Sequence, residues 1–367
     1  MSGSVYGTIF TMTTWGESHG KGIGVVVDGC PSGLLLNEEL IQKHLNRRKP
    51  GQTRYATPRT EGDKVTILSG VFEGRTTGAP ISLAVFNENQ RSADYSEIAS
   101  YYRPGHADYT FDQKYGFRDY RGGGRSSGRE TTGRVAAGAI AGAILEELGI
   151  KVRAYTKSIG PISINYDKSN PEQSHLSPFY MPDLEASLKA EEYLEQKMQE
   201  HNSVGGIIEC IVSGMPAGIG EPVFDKLDAS LARAVMSIGA IKGVEIGEGF
   251  QAANLTGAEN NDPFFYDRSR GISKQSNHAG GILGGISDGS QIILRAAVKP
   301  TASISRPQNT VNKNNENIEI QIGGRHDPVI VPRAVVVVES MVAVTLVDQL
   351  FRGMTSQMGK IKDFYRS

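Results

Sequence analysis

Two histidines stand in short polar loops made of small residues: His19 in Gly16-Glu17-Ser18-His19-Gly20, and His106 in Arg103-Pro104-Gly105-His106-Ala107-Asp108. Loops of this kind often present catalytic groups, and imidazole exchanges a proton near neutral pH, so both are candidate acid–base residues. A longer run is denser in chemistry: Arg118-Asp119-Tyr120-Arg121-Gly122-Gly123-Gly124-Arg125-Ser126-Ser127-Gly128-Arg129-Glu130-Thr131-Thr132-Gly133-Arg134. Its glycines free the backbone to curl around a ligand. Backbone N–H groups at a helix start, serine hydroxyls and guanidinium forks together suit a phosphate or carboxylate. Arg47, Arg48, Arg54, Arg59 and Arg103 would enlarge this cationic site if the fold converges them.

A second glycine run, Asn277-His278-Ala279-Gly280-Gly281-Ile282-Leu283-Gly284-Gly285-Ile286-Ser287, would let a flat ring lie against the backbone. It leads through a strand to Lys299-Pro300-Thr301-Ala302-Ser303, whose ammonium and two hydroxyls suit a phosphate tail. Gly324-Arg325-His326-Asp327-Pro328 adds a guanidinium, an imidazole and a carboxylate in one turn. Other chemistries lack local support. The glycines at 20, 22 and 24 miss the GxGxxG spacing and read as a turn into a strand, and no Walker A, CxxC or HExxH pattern occurs. No metal site is expected. The residues alone point to a large anion-binding pocket for a phosphorylated ligand.

β-branched runs bounded by Gly, Pro, Ser or Asp predict strands over 22–27, 65–68, 80–86, 207–213 and 291–298. Helical patterns cover 38–47, 132–148, 184–200, 224–236 and 333–352, with Gly149 and Asp183 as an end and a start signal. The segment 132–148 alternates Ala136, Ala137, Ala139, Ala141 and Ala143 with Gly133, Gly138 and Gly142. Glycine costs about 1 kcal/mol against alanine inside a helix, so close packing against a neighbour must compensate.

With 38% hydrophobic and 22% charged residues in 367, the chain is an ordinary globular sequence, read as one domain over 1–367 mixing helices and strands. A net charge of −1 gives no global field for nucleic acid or an anionic membrane. Cys30 and Cys210 cannot form a disulfide framework and read as buried small hydrophobes in a reducing compartment. No signal-like N-terminus is present, and the most apolar stretch, 334–347, is short and interrupted by Glu339. A soluble cytoplasmic protein is expected.

Seven segments in order, Gly16–Gly20, Arg103–Asp108, Arg121–Glu130, Gly243-Val-Glu-Ile-Gly247, Ala279–Ser287, Lys299–Thr301 and Gly324–Pro328, resemble the motifs of the chorismate synthase family and span nearly the whole chain. The resemblance implies an α+β, single-domain β-α-β sandwich that assembles as a homotetramer with one FMN site per subunit. It implies a carbon–oxygen lyase of the shikimate pathway to aromatic amino acids. The reaction would be a reduced-FMN-dependent anti 1,4-elimination of phosphate from 5-enolpyruvylshikimate 3-phosphate, without net oxidation. Carried over residue by residue, FMN would contact Arg125, Ser126, Ser127, Gly239, Ala240, Gly284, Lys299, Pro300, Thr301, Ala302, Ser303 and Arg325. Gly239 stands where the family often has asparagine or proline, and Ala302 where it often has serine, so contacts there fall to the backbone. Arg48, Arg54, Arg103 and Arg134 match positions that bind anions of the substrate or, at the first two, a nicotinamide phosphate of NADP. His19 would protonate the departing phosphate, His106 would stabilise the reduced flavin anion, and Asp327 would manage the proton at flavin N5. The lack of a dinucleotide fingerprint favours an external flavin reductant.

Two other classes remain. A conventional FMN oxidoreductase with net redox turnover would consume donor and acceptor stoichiometrically. An RNA-binding module would use Tyr101, Tyr102, Tyr109, Phe111, Tyr115, Phe117 and Tyr120 with the neighbouring arginines to stack bases, but Asp108, Asp112 and Asp119 and the neutral chain oppose it.

Overall fold

The computed structural model describes residues 3–51, 53–55, 62–87, 97–269, 271–323 and 327–366. Two antiparallel five-stranded sheets enclose a layer of helices. The first sheet runs Val5–Tyr6, Thr11–Gly16, Gly22–Asp28, Ile81–Phe86, Val65–Ile67. The second runs Ile241–Ile246, Ile292–Val298, Gly206–Ser213, Lys151–Ile159, Ile162–Ser163. In Gly206–Ser213 the period of two buries Ile208, Cys210 and Val212 completely on the face toward the helices. Cys30 is buried too, although it lies just beyond the end of Gly22–Asp28 rather than in a strand.

Helix Thr131–Glu147 lies against the first sheet, helix Val331–Gly353 against the second, and the two pack on each other. Small residues set that spacing. A Cβ on Gly133 would stand 3.0 Å from the carbonyl oxygen of Gly24 in the first sheet, and one on Gly138 would stand 2.6 Å from Cα of Ser340. Helices Glu38–Arg48 and Leu227–Met236 flank this pair, and the buried apolar side chains form one continuous cluster across both sheets and the helix layer. The architecture is the expected α+β sandwich.

The expected strands and helices are all present within a few residues, with one change of kind. Residues 224–236 divide into a 3-10 turn, Val223–Asp225, and the helix Leu227–Met236. The expected apolar stretch at 334–347 also proves longer than its composition suggests. Val331–Gly353 continues through Glu339, whose Oε1 takes Nη1 of Arg47 at 2.6 Å. By length and composition the helix could cross a bilayer, but 78% of its apolar window is buried inside the protein, as a core helix requires.

Candidate functional site

The loop carrying His19 joins Thr11–Gly16 to Gly22–Asp28 at one end of the first sheet. His19 is buried, its Nδ1 3.0 Å from Ser18 Oγ. Gly122 of the arginine-glycine loop lies directly on the imidazole: a Cβ there would collide with Cε1 and Nδ1 of His19. The sequence spreads these two segments about a hundred residues apart, and the fold stacks one on the other.

The arginine-glycine loop contains two short 3-10 turns, Gly124–Ser126 and Gly128–Glu130, that lead into Thr131–Glu147. Ser127 caps the second turn by accepting from the backbone N–H of Arg129 at 3.2 Å, and Ser126 Oγ donates to Gly123 O at 2.6 Å. Arg125 reaches back over the first sheet, donating to Thr14 Oγ1 at 2.7 Å and to the carbonyls of Thr14 and Gly16 at 3.2 Å. Arg134, one turn into the helix, holds Glu130 Oε2 at 2.8 Å and donates to Ser237 Oγ at 2.6 Å.

Ser237 leads to Gly239 and Ala240. Ala240 sits in the left-handed region, with φ +71°, and its carbonyl accepts from the N–H of Lys299 at 2.9 Å. Lys299 follows the end of Ile292–Val298 in the second sheet. Its Nζ donates to Gly105 O at 2.9 Å across 194 residues of sequence, while His106 Nε2 meets Ser303 Oγ at 2.9 Å. Gly105, φ +70°, permits the approach, because a Cβ there would lie 2.8 Å from that of Ala302.

His106 Nδ1 lies 3.0 Å from Pro104 O, an atom that only accepts, so Nδ1 carries the hydrogen and Nε2 accepts from the Ser303 hydroxyl. That pattern belongs to neutral imidazole. Burial pushes the His106 pKa below its ordinary value; Arg103 and Lys299 add to this, while the Pro104 carbonyl and Asp108 oppose it. Thr301 Oγ1 is buried with no hydrogen-bond partner among the described residues, and Ser203 Oγ donates to the Thr301 carbonyl at 2.7 Å.

The expected cationic cluster is distributed differently, because most arginines already hold a carboxylate. Arg103 donates through its backbone N–H, Nε and Nη2 to Asp108, which Arg118 also binds at 2.8 Å. Burial alone would raise the Asp108 pKa, but these bonds together hold it below its ordinary value. Arg48 is buried against Asp63, whose other oxygen takes Nη1 of Arg129 at 2.6 Å. Arg54 instead lies exposed, bonded to Glu191 and Glu195 on helix Leu184–Gln199.

Asp327 pairs with Arg333 at 2.7 Å, and the adjoining Pro328 carbonyl accepts from Val204, next to the Ser203 that holds Thr301. Gly284 lies at the turn of the Ile282–Leu283 and Ile286–Ser287 hairpin, beside the start of Leu227–Met236, where Leu227 N–H donates to Gly285 O at 2.8 Å. Arg325 and Arg59 fall outside the described residues. Asp63 and Asn87 are further residues of this region, and neither belongs to any sequence motif.

The family model for chorismate synthase matches residues 10–351. The chain is 70% identical over 366 residues to the chorismate synthase of Lachnoclostridium phytofermentans, covering all of both chains. It is 64% identical over the same length to that of Lachnospira eligens, also covering all of both chains, and 53% identical to that of Methanococcoides burtonii, covering 96% of this chain and 97% of the relative. A crystal structure of a chorismate synthase superposes with a TM-score of 0.75 at 31% identity, covering 98% of this chain and 97% of the other.

Proposed function

This chain belongs to the chorismate synthase family, and from that premise we propose that it eliminates phosphate from 5-enolpyruvylshikimate 3-phosphate with reduced FMN as cofactor. The observation that carries the reading is the closure of Lys299 and Ser303 onto Gly105 and His106, which gathers the expected cofactor residues beside a histidine. FMN fits the donor set: the Lys299 ammonium and the unpartnered Thr301 hydroxyl suit its phosphate, and the Gly105 cradle admits a close backbone approach. When bound, reduced FMN supplies an electron-rich ring that assists departure of the phosphate and accepts the ring hydrogen, with no net redox change.

The protein's own residues do the rest. His106 begins with its proton on Nδ1, held by Pro104, and can take or return one at Nε2 beside the Ser303 hydroxyl. His19 donates the proton that neutralises the leaving phosphate. Arg134 and Arg125 supply positive charge at the helix start, where backbone N–H groups also favour anions. Asp327, tied to Arg333, would manage the proton at flavin N5. Arg48 and Arg103 would bind the substrate's anions through their guanidinium N–H groups, with Asp63 and Asp108 holding them in place.

We further propose that residues 1–367 act as one domain in a cytoplasmic homotetramer and that electrons for FMN come from an outside reductant. The deciding experiment is anaerobic phosphate release with substrate in large excess over reduced FMN. Many turnovers per flavin are expected. One turnover per flavin, with flavin oxidised in step, would replace this reading with a conventional flavin oxidoreductase.

A further inference from the structure

Asn87, just past the end of Ile81–Phe86, lies between the His19 loop and the start of the arginine-bearing helix. Its Nδ2 donates to Glu17 O at 3.2 Å and to Gly20 O at 2.8 Å, the two carbonyls that flank Ser18 and His19, and its backbone N–H donates to Lys21 O at 3.1 Å. Its Oδ1 accepts from Arg129 Nε at 2.6 Å. Arg129 in turn gives Nη1 to Asp63 at 2.6 Å, and the Asp63 side chain is fully buried and also binds Arg48.

The orientation of this amide is forced. Guanidinium only donates and a carbonyl only accepts, so the oxygen must face Arg129 and the nitrogen must face the loop. A flipped amide would lose all three bonds. The Asp63–Arg129–Asn87 relay thus runs from a buried carboxylate to the backbone on both sides of His19.

We propose that Asn87 is a positioning residue for the reaction: its amide, oriented by Arg129, fixes the loop that presents the His19 imidazole. This rests on the acid role given to His19 above. A misplacement of about 1 Å can cost on the order of 100-fold in rate, so the loop's anchor matters to turnover more than to binding.

Asn87→Asp isolates the donor. The side chain keeps its shape and an oxygen for Arg129, but it now turns a second oxygen toward two carbonyls. The expected result is a kcat reduced by roughly 10–100-fold at about pH 8, with KM changed by less than about twofold. FMN affinity, read by fluorescence quenching, should not move.

The second arm repeats the substitution in a His19→Ala background, where Asn87→Asp should cost less than about twofold because the group it positions is gone. Equal losses in both backgrounds would overturn the inference. Normal turnover of His19→Ala alone would remove the acid role itself, and the positioning role would fall with it.

Discussion

His106 shows how far a single residue's bonding fixes its chemistry. A neutral imidazole, donating to Pro104 and accepting from Ser303, is buried beside Arg103 and Lys299, with Asp108 nearby, and its pKa lies below the ordinary value. The unfolded chain takes up a proton at about pH 6.5, whereas the folded site takes it up only at lower pH, so stability is lost as the pH falls through that value. His106→Gln should therefore flatten the decline of Tm between about pH 7 and pH 5. His44, also lowered by burial, with Arg47 adding and Glu339 and Glu146 opposing, acts in the same direction. Thermal melts across that range check this, and curves for variant and parent that stay parallel would refute it. Lys299→Ala should weaken FMN binding by about 1.5–3 kcal/mol, the cost of a lost charge-assisted bond. The same change releases Gly105 O, so turnover at saturating FMN should fall as well. Fluorescence titration together with turnover at high FMN reads the two effects separately, and unchanged affinity would take Lys299 out of the cofactor site.

Between the elements, one contact sets the thickness of the helix layer. Gly138 faces Ser340 so closely that an alanine would drive Thr131–Glu147 away from Val331–Gly353. Gly138→Ala should destabilise the protein by about 1–3 kcal/mol through overpacking. Gly142, one turn on, meets nothing within 4 Å, so Gly142→Ala should stabilise by up to about 1 kcal/mol through helix propensity. Denaturant midpoints that shifted the same way for both would show that the crossing is not tight. The alanine and glycine pattern announced this helix, and Asp183 announced another: it caps Leu184–Gln199 by accepting from Glu185 and Ala186 N–H. Short or mixed segments gave no such signal. Thr11–Gly16 carries Trp15 and three threonines without clean alternation, and Lys151–Ile159 is broken by Arg153 and Lys157, yet the first pairs along its whole length and the second does so except for a bulge at Lys157. At the site, the motifs named His19, His106 and Lys299 because chemistry is written in residue type. The partners that neutralise the arginines were not readable, since the links from Arg48 and Arg129 to Asp63 exist only once the chain has folded.

At the scale of the whole molecule, the candidate site spans the layers: His19 and Thr14 come from the first sheet, Arg134 from the helix layer, and Ala240 and Lys299 from the second sheet. A site assembled this way would need the complete sandwich, whose surface carries a further feature. The ribbon Phe264–Asp267 with Gly271–Lys274 puts Phe264, Tyr266 and Ile272 on one face, exposed by 58%, 75% and 77%. Such a ribbon is marginal alone, and an apolar face of this kind on a soluble protein signals a partner. Its base is anchored where Lys274 Nζ lies 3.1 Å from Asp262 and 2.7 Å from Asp288. A second copy of the chain, in the homotetramer proposed above, is the occupant that would cover it. Ile272→Glu places a charge in that contact while leaving the Lys274 anchor and the core untouched. Light scattering should give four times the mass of a single chain for the parent and a smaller species for the variant, with the thermal transition of the protomer preserved. A variant that kept the parent's mass would show that this ribbon lies outside the subunit contact, and the assembly would then have to be sought on another face.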